Sequence, residues 1–160
     1  MKNILAIDTG IGGGYAWNQG DNLFACKFEG TLHHNKYLSN IQLDEIYLEK
    51  ATSSSQMGVT SAFTFGQNYG EWQGAIMRGG RVPTILPPQQ WIRWFKDSIA
   101  DSEPPRPVKG LSESAAKFYQ RVKQHNREIA KARFPHLRVT AATCDALLIH
   151  QYAQQKHNNA

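Results

Sequence analysis

The chain has 160 residues, 41% of them hydrophobic and 19% charged, with a formal net charge of +5. That length suits one domain with one substantial core, and the composition is that of an ordinary globular protein. No run approaches the ~18 consecutive apolar residues of a membrane span. Two cysteines, Cys26 and Cys144, without zinc spacing, exclude a disulfide framework and read as small buried apolar residues.

Residues 2–8 form an apolar run with one preceding positive charge, and the run ends on Asp8. This predicts a strand buried on both faces, not a signal peptide, and so a cytoplasmic protein with no membrane partner. Gly10 and Gly12 to Gly14 predict a turn, and residues 15–18 a second strand. A hairpin-type turn over 19–22 leads into a third strand over 23–28. A short helix is expected over 36–43. A fourth strand over 46–48 ends at Glu49-Lys50, and a polar loop follows.

From 60 to 77 the apolar residues recur at helical spacing, as Ala62, Phe65, Tyr69 and Ile76 show. Gly66, Gly70 and Gly74 make a second stripe, four apart, at a cost of about 1 kcal/mol each inside a helix. Close internal packing is the favoured reason, with a homodimer contact as the alternative. A fifth strand over 82–86 stops at Pro87-Pro88, and a helix opens there with proline in its first turn. Trp72, Trp91 and Trp94 have apolar neighbours at helical spacing and read as core. Residues 97–110 form a loop, 111–133 a long basic helix, and a last helix runs to Tyr152. The domain is expected to span 1–153, with a polar tail over 154–160. The element order predicts an α/β, RNase H-like fold: a mixed five-stranded sheet, antiparallel meander plus parallel strands, flanked by helices.

Three acids stand in apolar contexts: Asp8 at the end of the first strand, Glu49 at the end of the fourth, and Asp145 within Cys144-Asp145-Ala146-Leu147-Leu148-Ile149. Burying a carboxylate is costly unless it is paired or binds metal. Each has a bland reading: a turn, a pair with Lys50, a helix N-terminus that favours negative charge. Together, in this element order, they point to a shared site. The charge is also uneven. Residues 1–110 hold 10 Lys and Arg against 10 Asp and Glu, whereas residues 111–160 hold 8 against 3. A basic face on the long helix suits either a polyanionic partner or plain solubility.

Residues 6–10 (Ala-Ile-Asp-Thr-Gly), 47–51 (Tyr-Leu-Glu-Lys-Ala) and 145–149 (Asp-Ala-Leu-Leu-Ile) resemble the three acidic blocks of the RuvC family of Holliday-junction resolvases. Residues 58–66, Gln89-Gln90-Trp91 and 132–136 resemble further segments of its phage-type members, over nearly the whole chain. The resemblance implies a structure-specific DNA endonuclease that resolves four-way junctions by paired nicks. It implies Asp8, Glu49 and Asp145 as catalytic metal ligands for Mg²⁺, or Mn²⁺, with two ions per site. It implies a homodimer placing two such sites on branched DNA.

One feature departs from the family. A further acid, or a histidine, is expected one helical turn before the last aspartate, and positions 142 and 141 are both alanine. A missing ligand is therefore suspected at Ala142 or Ala141. An original acid replaced by alanine, most simply at 142, is the favoured explanation and would make this sequence a catalytically impaired variant; a substitute such as His150, or a non-catalytic junction binder, are the others. Lys50, Lys117, Arg121, Lys123, Arg127 and Lys131 are the candidate DNA contacts. A same-fold nuclease acting on flaps, other branched DNA or RNA–DNA hybrids is an alternative reading. An actin-like ATPase is disfavoured, because 160 residues supply one lobe where such enzymes need two.

Overall fold

The computed structural model describes residues 1–30, 41–52, 57–98 and 114–159. Strands β1 (Ile4–Asp8), β2 (Gly14–Gln19) and β3 (Asn22–Lys27) form the antiparallel meander. Strand β4 (Glu45–Glu49) pairs parallel with β1, and β5 (Thr84–Leu86) parallel with β4. The sheet order is β3-β2-β1-β4-β5, the expected RNase H-like mixed sheet of five strands. Among the described residues four helices accompany it: α1 (Val59–Arg78), α2 (Pro88–Ser98), α3 (Ala115–Arg133) and α4 (Cys144–Asn158).

Alternation along β1 decides which side chain meets which layer. Leu5 and Ile7 point to one face, where Tyr15, Ile46 and Leu48 meet Trp72 and Ile76 of α1. Ile4 and Ala6 point to the other, where Tyr47 and Leu86 meet α2, α3 and α4 through Trp91, Phe95, Ala130 and Leu147. Ile4, Leu5 and Ile7 are fully buried, worth roughly 1.5–3 kcal/mol each. The same parity puts Asp8 and Glu49 on the face that carries α3 and α4.

Several expectations are corrected. Cys26 is exposed on β3, and only Cys144 is buried. The glycine stripe does not pack internally: a Cβ at Gly66, Gly70 or Gly74 would meet open space. Helix α4 continues past Tyr152 to Asn158, because its polar residues have partners. Gln154 donates to the Lys2 carbonyl at 2.7 Å, and His157 lies 2.6 Å from Glu45. Residues 41–43 are not helical, and the rest of the helix expected over 36–43 lies outside the described residues, as do 53–56 of the polar loop, 99–110 of the proline-rich loop and the first residues of the long helix. The core placement of Trp72 and Trp91 holds, and Trp94 packs edge-on against Tyr152. Among the described residues no helix is long and apolar enough to cross a membrane.

Candidate active site

Ile7 of β1 is paired with Leu48 of β4, so Asp8 and Glu49 leave the sheet side by side at the C-terminal ends of parallel strands. Their carboxyl groups share a hydrogen bond. Trp91, on the first turn of α2, donates its indole N–H to Glu49 Oε1 at 2.7 Å. Thr9 adds a hydroxyl bond to the Glu49 carbonyl at 3.3 Å.

Asp145 arrives from the helix layer packed on that same face, in the first turn of α4. The start of that helix is fixed by Thr140 and Thr143. Each threonine hydroxyl accepts from the other's backbone N–H, at 3.0 and 3.2 Å. The preceding turn then packs on β2 so closely that a Cβ at Gly14 would come within 2.6 Å of the Ala142 carbonyl oxygen. Gly14 is also the strand partner of Asp8. A glycine at 14 thus lets the α4 turn approach the strand that carries the first acid. Asn126 of α3 donates to Asp145 Oδ1 at 3.0 Å.

Lys123, expected as a DNA contact, is instead part of this cluster. Its ammonium lies 3.2 Å from Asp8 Oδ2 and also bonds Asp145 Oδ2. The periodicity of α3 carries the signal that places it there: Lys123, Asn126 and Ala130 follow the 3-and-4 spacing of one inward stripe, and the last two are buried. The other expected contacts divide. Lys50, Lys117, Arg121 and Lys131 are exposed, with Arg121 lying 5.9 Å from the centre of the Phe118 ring. Arg127 is half-buried, and its Nε has no hydrogen-bond partner among the described residues. His150 does not reach the acids. Its Nε2 lies 2.9 Å from Asn18 Oδ1, and burial pushes its pKa down to about 4.

Burial dominates the electrostatics. It raises the Asp8 pKa to about 6, against the pull of Lys123. It raises Glu49 to about 9, with the Asp8 charge adding to the shift. At neutral pH Glu49 therefore keeps its proton and offers it to Asp8. Burial disfavours the Lys123 charge, but Asp8 and Asp145 more than compensate and hold it firmly protonated. The thiol of Cys144, beside Asp145, is pushed up to about 12 by burial, which makes it a poor nucleophile.

Among the described residues no three of His, Cys, Asp and Glu are arranged to hold one metal ion. Ala141 and Ala142 lie in the turn before α4 and offer no carboxylate. The Asp8–Glu49 pair suits a single hard cation whose remaining ligands are water and phosphate, as Mg²⁺ commonly binds. The space between Asp8 and Asp145 already holds an ammonium.

No protein-family model matches the chain, and a search of curated proteins returns no match. Solved structures do match. RuvC from Thermus thermophilus in complex with a Holliday junction substrate superposes with a TM-score of 0.57 at 14% identity, covering 93% of this chain and 90% of that one. A second Thermus thermophilus RuvC structure gives a TM-score of 0.55 at 15% identity, covering 96% of each. The chain has the RuvC fold. At such identity the likeness carries the fold alone, and it does not reach the phage-type assignment expected from sequence. On the RuvC fold, the acid cluster occupies the C-terminal ends of neighbouring parallel strands, where α/β proteins place their sites.

Proposed function

We propose that this chain is a metal-dependent endonuclease of the RuvC type that acts on four-way DNA junctions. The observation that carries the reading is the convergence of Asp8, Glu49 and Asp145 from β1, β4 and α4 on the RuvC fold. Mg²⁺ or Mn²⁺ is the proposed cofactor; when bound it supplies charge to the scissile phosphate and acidifies a water. Asp8 and Glu49 hold it, and Glu49 must first give up its proton. Trp91 and Asn126 act as positioning residues that fix the rotamers of Glu49 and Asp145. Lys50, Lys117, Arg121 and Lys131 supply positive charge to the DNA backbone, each phosphate neutralised adding about 0.9 to the salt slope.

A homodimer belongs to the same proposal, because two symmetric nicks need two sites. Its support is the outer face of α1. Val59, Phe63 and Met77 are 87%, 73% and 63% exposed there, and Gly66 and Gly70 lie between them with open space over each. In an antiparallel crossing Gly66 would meet Gly70 of the second copy, and Val59 its Met77. That is the self-complementary pattern of a two-fold interface.

A non-cutting junction binder is the second reading, and Ala141 and Ala142 favour it. Gel analysis with labelled four-way junctions, flaps and RNA–DNA hybrids in Mg²⁺ separates these. Paired nicks on the junction support the proposal. A shifted but uncut junction supports the binder, and cleavage confined to flaps or hybrids moves the substrate.

A further inference from the structure

We propose that Lys123 takes the place of one of the two cations expected in this acid cluster, so that the site binds a single divalent ion. The inference rests on the nuclease reading above. The ammonium bridges a carboxylate from β1 and one from α4, at 3.2 Å from Asp8 Oδ2 and in direct contact with Asp145 Oδ2. A cation that joins two acids from two elements is doing what a bridging metal does in a two-metal centre.

The lysine is built into this position. Its side chain is 16% exposed, and it emerges from the stripe of α3 that also presents buried Asn126 and Ala130 to the core. Asn126, one turn further along, holds the second oxygen of Asp145, so the carboxylate that receives the ammonium is itself fixed.

Formal charge points the same way. Asp8, Glu49 and Asp145, fully ionised, together with Lys123 carry a net charge of −2, which one divalent ion neutralises. A second ion would sit beside a fixed ammonium in a partly desolvated site, where like charges repel strongly. The two departures from the expected site are therefore complementary. Ala141 and Ala142 remove a carboxylate, and Lys123 supplies a positive charge. A cluster with one acid fewer and one ammonium more has lost the reason to hold a second ion. Asp8 and Glu49, which touch each other at the end of β1 and β4, remain for the single ion.

The test is electron paramagnetic resonance of the whole chain titrated with Mn²⁺, with the Asp8→Asn chain as the reference for ions bound elsewhere. Two Mn²⁺ at about 4 Å are spin-coupled, whereas a lone ion gives an uncoupled six-line spectrum. The expected result is one uncoupled ion per chain in excess of the reference. Lys123→Met should raise the count to two and introduce coupling, while Lys123→Arg, which keeps the charge, should stay at one. Circular dichroism checks that each variant is folded. A coupled pair in the unaltered chain overturns this inference and leaves the nuclease reading standing. A single uncoupled ion in both the unaltered chain and Lys123→Met also overturns it. No excess over Asp8→Asn removes the metal reading itself, and the inference with it.

Discussion

The indole N–H of Trp91 donates to Glu49 Oε1 across 2.7 Å, so the helix that follows β5 fixes the carboxylate at the end of β4. This bond favours the ionised form of Glu49, against burial and the Asp8 charge. Trp91→Phe keeps the ring in the core and removes the donor. A bond to a charged group is worth roughly 1.5–3 kcal/mol, so cleavage should fall about 10- to 100-fold. The Glu49 titration, followed by NMR of the labelled carboxyl carbon, should move to still higher pH. An unmoved titration would mean that the indole does not act on the carboxylate.

Glu49 also sets a pH dependence of stability in the absence of divalent ions. Its folded pKa of about 9 lies above the ordinary glutamate value of 4.5, so the folded state holds the proton more tightly than the unfolded chain. The stabilisation is complete below pH ~4.5 and is lost as pH rises through ~9. Glu49→Gln cannot lose a proton and keeps the neutral shape. It should melt several degrees higher than the parent at pH 9, with the gap closing toward pH 5. His150 works on the acid side. Its pKa, pushed down to about 4, means that stability is present above ~6.5 and lost as pH falls through ~4. Thermal melts across pH 4–9 read both limbs.

Junction affinity should separate the basic residues of α3 by exposure. Replacing exposed Lys117, Arg121 and Lys131 by alanine should weaken binding on any DNA sequence. Each residue that contacts a phosphate should lower the log–log salt slope by about 0.9 when removed. Arg127→Ala, at a half-buried side chain, should change the slope little and stability more.

The outer face of α1 gives a clean probe of assembly, because a Cβ at Gly70 meets nothing within 4 Å among the described residues. Light scattering should show a dimer for the parent chain and a monomer for Gly70→Arg, with circular dichroism showing that the variant keeps its helix content. A parent chain that is monomeric at tens of micromolar would remove the homodimer from the proposal.

Much of the fold was legible because the burial pattern is local. The apolar run ending at Asp8 and the proline stop at Pro87-Pro88 mark the strands, and the helical period over 60–77 marks α1. The three acids were legible for the same reason, since each interrupts an apolar segment. Lys123 was not, because a lysine within a basic helix gives no composition signal. Only its phase with Asn126 and Ala130 tells that it points inward, and that phase matters only once α3 is known to lie against α4. The outward direction of the glycine stripe was hidden likewise. Spacing shows that Gly66, Gly70 and Gly74 share a face, while the neighbouring phase, Asn68, Trp72 and Ile76, is the one that meets the sheet. The extension of α4 to Asn158 depends on partners distant in sequence, Asn18 and Glu45, which no local pattern reveals.

The most direct test of the central claim is strand cleavage of an end-labelled four-way junction in Mg²⁺ by the unaltered chain, with Asp8→Asn run beside it. The account predicts paired, symmetric nicks from the chain and none from Asp8→Asn, with both shifting the junction on native gels. A junction that is bound but uncut by the chain, and also by its Ala142→Asp variant, would contradict the nuclease reading. Nicks that survive Asp8→Asn would show that the acid cluster does not perform the cut.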